Sequence, residues 1–331
     1  MRTFLAPLRL SLAGGGTDVS PFADENGSSI LNFAIDKHVR VEIIEESVGS
    51  LGCAVEILIK GNDGTVQARD DFAINLEKAL TNSLKTSKKF KVIVTNPVKP
   101  SSGLGTSSTM ISSVLKALKI CSDNHSENLD IIKESLTIER IKMGILGGFQ
   151  DSFPALYGGI NYINYLNKTG TWEVQNLSTS RGFTKLIEDS IFTFELGVQR
   201  NSHKVIADQI DRSKDKNSMT YKALVNQREI AREMKRAFEA EDFEKVLDLI
   251  DKSFELKKEF TPLISSERIQ SIENTLRSMG ARGIKVSGAG GGGHMFCFFP
   301  QGKPNGLVNQ LPDSITPMKC AIEFTGFKEI N

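Results

Sequence analysis

Apolar and polar residues alternate along most of the first 95 positions, which is the pattern of half-buried β-strands. Between residues 72 and 84, apolar residues instead recur every four positions, which predicts one amphipathic helix. Asn62-Asp63-Gly64 is typical of a hairpin turn, because these residue types tolerate a positive φ. The predicted strands cover residues 3–12, 38–46, 54–60 and 89–95. The first third of the chain is therefore predicted to be mainly β-structure.

After a loop at 96–105 the pattern changes to helices, and a strand hairpin at 158–165 and 172–177 follows. The predicted helices cover residues 106–118, 127–143, 221–239, 242–259 and 266–279. The last predicted strands cover residues 283–287, 294–299 and 318–324. Helices and strands in this order predict an α+β protein with two domains, residues 1–180 and 181–331.

Composition agrees with two domains and excludes several classes of protein. The 331 residues correspond to roughly two domains of about 150 residues each. Lys and Arg number 41 against 40 Asp and Glu, so bulk electrostatic binding to nucleic acid is not expected. No apolar run approaches the ~18 residues of a membrane span, and the four cysteines show no zinc or disulfide spacing. We expect a cytoplasmic protein that contacts neither membranes nor nucleic acid.

Glycines cluster in four segments, and the segment at 96–108 lies between a predicted strand and a predicted helix. Such a loop allows close approach to the backbone and presents unpaired N–H groups at the positive end of a helix dipole, which favours phosphate. No Gly-Lys-Ser/Thr ending is present, so this is not a Walker A loop. Taken alone, it fits a nucleotide loop or a Gly/Ser-rich helix cap.

The other three clusters each have a plain structural interpretation as well. Gly288–Gly293 joins two predicted strands and is either a site of close backbone approach or a linker. Gly14–Asp18 ends a strand that contains Arg9, a residue that needs a partner if it is buried. Gly147–Asp151 follows a helix that contains Glu139, and single acids of this kind are usually surface groups.

Together the four segments resemble the GHMP kinase family, named for galactokinase, homoserine kinase, mevalonate kinase and phosphomevalonate kinase. The family motifs are matched in order by Pro7–Asp18, Pro100–Ser107 and Gly288–Gly292, and Gly148–Asp151 adds a fourth match. The resemblance implies a ribosomal protein S5 domain 2-like N-terminal domain that holds the ATP phosphate loop and the catalytic acid. It further implies a ferredoxin-like C-terminal domain with the third motif, and an active site in the cleft between the two.

The resemblance also implies a reaction and a set of site residues. The family transfers the ATP γ-phosphoryl to a small-molecule hydroxyl, with ATP and Mg²⁺ as cofactors, as a monomer or homodimer. By position, Asp151 matches the general base, Arg9 the cation near the transferring phosphoryl, and Ser107 and Glu139 the magnesium positions. The implied nucleotide-binding residues are Pro100, Ser101, Ser102, Gly103, Leu104, Gly105, Thr106, Ser107 and Ser108.

The predicted substrate-binding residues include an anchor for a phosphorylated sugar. Arg200 precedes a predicted helix start and offers a guanidinium to an anion, although Ser202 as an ordinary N-cap explains this segment equally well. The full set is Gly15, Gly16, Thr17, Asp18, Gly148, Gln150, Arg200, Gly288, Gly290 and Gly291.

Departures from the family pattern narrow the expected substrate. Gly14-Gly15-Gly16-Thr17-Asp18 lacks the Glu and His of galactokinases, and Asp151 and Arg9 disfavour the homoserine and mevalonate branches. The motifs look most like those of the bacterial D-glycero-D-manno-heptose 7-phosphate kinases, which implies phosphorylation of the anomeric 1-hydroxyl. A kinase for an unphosphorylated sugar such as L-fucose and a non-catalytic sugar- or nucleotide-binding relative are the alternatives. A Rossmann oxidoreductase is weaker, because no glycine run fits Gly-x-Gly-x-x-Gly between a strand and a helix.

Overall fold

A computed structural model describes residues 1–46, 55–66, 70–84, 88–197 and 201–330. Within these ranges the chain forms a seven-stranded sheet and a four-stranded sheet, with helices packed against both. The strands are β1 (Arg2–Ala13), β2 (Ser28–Glu46), β3 (Val55–Lys60), β4 (Lys89–Thr95), β5 (Ile160–Leu166), β6 (Thr171–Leu177), β7 (Ile191–Glu195), β8 (Arg282–Val286), β9 (His294–Phe298), β10 (Thr316–Met318) and β11 (Lys328–Ile330). The predicted α+β class is confirmed.

The helices are concentrated after residue 100. They are α1 (Phe22–Asn26), α2 (Asp71–Leu84), α3 (Thr106–Cys121), α4 (Asn128–Leu136), α5 (Ser152–Tyr157), α6 (Arg181–Ser190), α7 (Ser202–Ser213), α8 (Met219–Glu239), α9 (Phe243–Lys258) and α10 (Glu267–Ser278). A π-helical segment, Thr137–Lys142, continues α4, and a 3₁₀ turn covers Leu307–Gln310. Among the described helices, none is long and apolar enough to cross a membrane.

The seven-stranded sheet has the order β11-β1-β2-β4-β3, and β5 and β6 extend it from the start of β2. β3 and β4 run parallel because α2 connects them, whereas the other pairs are antiparallel. β1 is buried along nearly its whole length, and helices α3 and α5 pack on it. The Gly14–Asp18 turn at the end of β1 therefore lies in the interior of the molecule.

The four-stranded sheet is antiparallel, with the order β10-β7-β9-β8. Residues from both halves share its surroundings: one core cluster joins Leu10 and Phe33 to Met234, Leu247 and Phe296. A second cluster packs Phe22, from the first half, with side chains of α8, α9 and α10. Finally, β11 returns to pair with β1, so the first sheet contains the last described strand of the chain.

Most predicted elements are present, and three regions differ. The strand predicted at 38–46 begins at Ser28, because residues 28–35 are buried throughout and show no alternation. The helix predicted at 127–143 divides into α4 and the π-helical segment. The strand predicted at 318–324 is wrong: β10 ends at Met318, and between there and residue 324 the structure has only an isolated bridge at Ile322. The boundary at residue 180 stays a prediction.

Candidate active site

The glycine-rich segments of both halves meet at one cleft of about 270 Å³. Arg9, Gly16 and Asp18 reach it from β1 and the turn after it, and residues 101–103 and 105–108 from the loop before α3 and its first turn. Glu139 and residues 147–148 and 150–151 form another wall, and the second half contributes Gly288, Lys257 and part of α7. Four segments far apart in sequence therefore line a single cavity.

Arg9 connects two of these segments. It is buried, with only 3% of its surface exposed, and its Nε and Nη2 lie 2.7 and 2.6 Å from Oδ1 of Asp151. Its Nη1 donates to the carbonyl oxygen of Gly103 at 2.6 Å. A buried charge needs such a partner, and the planar guanidinium satisfies both groups at once. The carboxylate of Asp151 is thereby fixed beside the loop that precedes α3.

The loop before α3 is shaped by left-handed glycines. Gly103 and Gly105 have φ values of 78° and 84°, a conformation that L side chains rarely adopt. Gly105 caps α3 without a side-chain hydrogen bond, so the first N–H groups of the helix are not capped by a serine or threonine. A Cβ on Gly105 would lie 3.2 Å from Oδ2 of Asp151. The positive end of the α3 dipole therefore faces the cleft close to Asp151.

Glu139 lies inside the cleft wall on the π-helical segment. Its carboxylate accepts hydrogen bonds from Ser108 Oγ at 2.8 and 3.0 Å and from Ser107 Oγ at 3.3 Å, and Arg140 lies 3.3 Å from Oε2. Burial raises the pKa of Glu139, while the charge of Arg140 and the serine hydroxyls oppose this rise. Carboxylate and hydroxyl oxygens are ligands that suit Mg²⁺.

Asp18 is the third acid of the cleft lining. It accepts hydrogen bonds from the N–H groups of Gly16 at 3.0 Å and Gln150 at 3.2 Å, and Gln150 Nε2 lies 3.3 Å from Oδ2. Burial raises the pKa of Asp18, and the neighbouring Asp151 carboxylate raises it further. Gly148 allows this approach, because a Cβ there would lie 1.8 Å from Oδ2 of Asp18.

The third glycine motif packs against the loop before α3 across the two halves. Ser287 Oγ donates to the Gly103 carbonyl at 2.9 Å, and the His294 backbone N–H donates to the Ser102 carbonyl at 2.9 Å. A Cβ on Gly293 would lie 2.5 Å from that Ser102 oxygen. The glycines of the run 288–293 therefore permit direct backbone contact, and the run is not a linker.

Most of the predicted site residues line the cleft. They are Arg9, Gly16, Asp18, Ser101, Ser102, Gly103, Gly105, Thr106, Ser107, Ser108, Glu139, Gly148, Gln150, Asp151 and Gly288. Outside this lining are Pro100, Leu104, Gly15, Thr17, Gly290 and Gly291. Arg200 lies outside the described residues, so its proposed anchor role stays a prediction.

Two of the residues outside the lining have structural contacts instead. The hydroxyl of Thr17 is buried and donates to the Gly14 carbonyl at 2.7 Å, so it holds the turn that presents Asp18. Gly291 donates from its N–H to the Ile264 carbonyl at 2.8 Å and holds the glycine run against the second core. Both contacts fix backbone segments that neighbour the cleft.

Several lining residues lie outside the four glycine-rich segments. Lys257 lies near the end of α9, Phe260 lies two residues beyond it, Gln209 lies on α7, and Arg140 follows Glu139. Gln209 Nε2 donates to the Gly16 carbonyl at 3.0 Å, which joins α7 to the first motif. Apart from Phe260, these residues belong to helices, and no short motif marks any of them.

Two family models match the chain: GHMP kinases N terminal domain over residues 71–159 and GHMP kinases C terminal over residues 234–315. The chain belongs to the GHMP kinase family. This GHMP kinase is therefore an ATP-dependent phosphotransferase, as its sequence motifs predicted. The family match agrees with the cleft, because its two ranges contain the loop before α3 and the third glycine motif.

Relatives of this GHMP kinase cover most of its length. The D-glycero-alpha-D-manno-heptose 7-phosphate kinase of Campylobacter jejuni is 28% identical, covering 92% of this chain and 91% of the relative. The bifunctional fucokinase/GDP-fucose pyrophosphorylase of Arabidopsis thaliana is 24% identical over 87% of this chain and 29% of its own length. The structure of a D-glycero-D-manno-heptose 1-phosphate kinase from Bacteroides thetaiotaomicron is 25% identical, with a TM-score of 0.78 over 100% of this chain and 99% of that one. The predicted two-domain GHMP kinase fold is confirmed.

Proposed function

We propose that this GHMP kinase transfers the γ-phosphoryl of ATP to the anomeric 1-hydroxyl of D-glycero-D-manno-heptose 7-phosphate. The product is the 1,7-bisphosphate, which serves nucleotide-heptose and surface polysaccharide synthesis. The observation that carries a transferase role is Arg9, which holds Asp151 and the Gly103 carbonyl at once and so places an acid beside the loop before α3. The named relatives from Campylobacter jejuni and Bacteroides thetaiotaomicron support a heptose phosphate as the acceptor.

On the donor side, the backbone N–H groups of 101–108 and the start of α3 would hold the ATP phosphates. Ser107 and Glu139 fit a magnesium ion, because the Ser107 hydroxyl oxygen lies 3.3 Å from Oε1 of the buried Glu139 carboxylate. No group of three or more His, Cys, Asp and Glu side chains in the described ranges could hold a metal alone. Such a short set of protein ligands fits Mg²⁺, which keeps several waters and binds substrate phosphates. Bound Mg²⁺ supplies neutralisation of phosphate charge.

On the acceptor side, Asp151 would accept a hydrogen bond from the reacting hydroxyl and take its proton as the new P–O bond forms, while the bond between the γ-phosphorus and the bridging oxygen breaks and ADP leaves. Arg9 fixes the orientation of this carboxylate, because both of its contacts go to Oδ1. Asp18, held by Gly16 and Gln150, would accept hydrogen bonds from other sugar hydroxyls. These contacts orient the hydroxyl toward the phosphate loop, which is how a kinase obtains most of its rate.

A kinase for an unphosphorylated sugar is the second candidate. Two curated relatives favour it, the Arabidopsis fucokinase and the L-fucokinase/L-fucose-1-P guanylyltransferase of Bacteroides fragilis, which are 24% and 22% identical to this chain. Asp18 and Asp151 would serve a free sugar equally well. The two candidates differ in the need for a 7-phosphate on the acceptor.

A substrate panel tests the proposal. ADP release is followed in a coupled assay with D-glycero-D-manno-heptose 7-phosphate, the free heptose, L-fucose and galactose. We expect the highest kcat/KM for the heptose 7-phosphate, with ³¹P NMR of the product showing a phosphate at carbon 1. A higher kcat/KM for L-fucose would instead support the second candidate. No turnover with any sugar, combined with tight sugar or nucleotide binding, would support a non-catalytic relative.

A further inference from the structure

Two lysines from the second half lie at or behind the cleft, and the motif search assigned neither of them. Lys257, near the end of α9, lines the cleft with 5% of its surface exposed, and its ammonium donates to the Gly288 carbonyl. Lys285, on β8, is 1% exposed and donates to the Leu12 carbonyl at 2.7 Å and to Ser253 Oγ at 3.0 Å. A buried ammonium is costly, so both positions call for a functional explanation.

Lys257 lies close to the point where the two halves contact the loop before α3. The Gly103 carbonyl accepts hydrogen bonds from Arg9 at 2.6 Å and from Ser287 Oγ at 2.9 Å. Ser287 directly precedes Gly288, the hydrogen-bond acceptor for Lys257. Arg9 from the first half and Lys257 from the second therefore reach the same short stretch of backbone beside the start of α3.

The electrostatics of this region also place the cations together. Burial lowers the pKa of Lys285, and the positive charges of Lys257 and Arg9 lower it further. The Lys257 ammonium and the Arg9 guanidinium thus both lie near Lys285 in a poorly solvated part of the protein, and Arg9 is paired there with Asp151. Water reaches Lys257 only slightly, so a phosphate beside its ammonium would be attracted with little screening.

We propose that Lys257 is a catalytic residue that contacts the γ-phosphoryl of ATP from the side opposite to the α3 N-terminus. This inference rests on the proposed placement of the ATP phosphates at residues 101–108. The ammonium of Lys257 acts as a point charge beside the equatorial oxygens, where negative charge accumulates during transfer. Lys285 stays behind the wall, and Arg9 acts from the Asp151 side.

The test compares two nucleotides without any acceptor. Dissociation constants are measured calorimetrically for Mg·β,γ-imido-ATP and Mg·ADP with the wild-type protein and with Lys257→Met. A contact with the γ-phosphoryl predicts weaker binding of the ATP analogue by about tenfold or more, since hydrogen bonds to charged groups are of that strength, and unchanged binding of ADP. With the acceptor that the substrate panel identifies, kcat is expected to fall by about 10²-fold, the scale for one lost charge-stabilising donor.

Two further variants keep the test decisive. Lys257→Gln can still donate to the Gly288 carbonyl but carries no charge, and it is expected to show the same selective loss of the ATP analogue. Lys252→Met removes a charge from the exposed side of the same helix, and both nucleotides should bind it as they bind the wild type. If Lys257→Met and Lys257→Gln bind both nucleotides normally, or lose both equally, the γ-phosphoryl contact is refuted. Wild-type protein that binds neither nucleotide would instead refute the proposed function.

Discussion

Asp151 receives both of its contacts from Arg9 on one carboxylate oxygen, Oδ1. Gly105 permits a close approach to the other oxygen, Oδ2. The orientation of the side chain is therefore set by the buried guanidinium, and its Oδ2 is presented near the start of α3. This geometry is suited to a group that accepts a proton from a hydroxyl beside the phosphate loop.

Asp151→Asn tests this role, because asparagine keeps the size of aspartate but cannot take up the proton. We expect kcat to fall by about 10²-fold or more, the usual contribution of a general base, while the dissociation constant of the ATP analogue changes little. Steady-state kinetics and calorimetry measure the two effects. The control is Asp189→Asn, since Asp189 is an exposed acid paired only with Lys185 among the described ion pairs. Near-normal turnover of Asp151→Asn would remove Asp151 from the proton transfer.

Gly148 sets the position of the second acid. Its Cα lies so close to Asp18 that Gly148→Ala would place a methyl carbon 1.8 Å from Oδ2, so the carboxylate or the loop must move. We expect the KM for the acceptor to rise by about tenfold or more, the scale of a displaced hydrogen bond to a charged group, with ATP-analogue binding retained. Gly182→Ala in α6, where the nearest atom would lie at 3.8 Å, should leave both constants unchanged. An unchanged acceptor KM in Gly148→Ala would mean that Asp18 does not bind the acceptor.

Strand β8 places the buried side chain of Lys285 behind the cleft wall. In the folded protein the pKa of Lys285 is well below 10.5, because burial disfavours the charged form and Lys257 and Arg9 repel it. In the unfolded chain Lys285 has its ordinary pKa of 10.5, so at pH values between the folded and unfolded pKa unfolding takes up a proton. Raising the pH toward 10.5 therefore disfavours unfolding, and the wild type should gain stability as the pH rises through this range.

Lys285→Met removes this linkage. Because the variant replaces a buried charge by an apolar chain of similar length, we expect it to be at least as stable as the wild type at pH 7. The difference in free energy of unfolding should shrink as the pH rises, and urea denaturation at several pH values measures it. Lys252→Met, an exposed change, should follow the wild type at every pH. A constant difference between Lys285→Met and the wild type would show that Lys285 does not titrate in this range.

The sequence predicted most elements because their patterns are local. The four-residue spacing within α2 and the alternation in β4 depend only on neighbours along the chain, and both elements are present. β2 was predicted short, because its first part is buried on both faces beneath α3 and α8 and does not alternate. β11 has three residues and exists through its pairing with β1, which no local pattern can predict.

The same distinction applies to the site. Arg9, Asp18 and Asp151 lie in short motifs, so comparison with family patterns found them. Lys257 lies on an amphipathic helix, where a lysine is ordinarily solvent-exposed. It is buried only because the chain folds Gly288 and the loop before α3 over the end of α9. That arrangement is a property of the tertiary fold.

The two halves of the chain share their hydrophobic cores. Met234 and Phe296 belong to the core that contains Leu10, and Phe22 belongs to the core of the second sheet. If one half unfolded alone, the other half would therefore lose part of its own hydrophobic core. We expect one cooperative thermal transition, with equal calorimetric and van't Hoff enthalpies by differential scanning calorimetry.

A fragment provides the complementary measurement. Residues 1–180 expressed alone lack the helices that cover one part of the first core and also lack β11. We expect this fragment to show no cooperative unfolding transition by circular dichroism. Two resolved transitions in the full chain, or a stably folded fragment, would instead indicate that residues 1–180 form an independent domain.

The pairing of β11 with β1 also places residues 2–5 beside residues 328–330. Thr3 is the register partner of Ile330, and the Arg2 guanidinium contacts the Glu329 carboxylate at 2.7 Å. A short glycine-rich peptide could therefore connect Ile330 to Arg2 without disturbing the sheet. New ends could be opened in the exposed β5–β6 turn at residues 167–170, which lies outside the cleft lining. The architecture accordingly permits circular permutation: the two walls of the cleft can be connected in either order along the polypeptide.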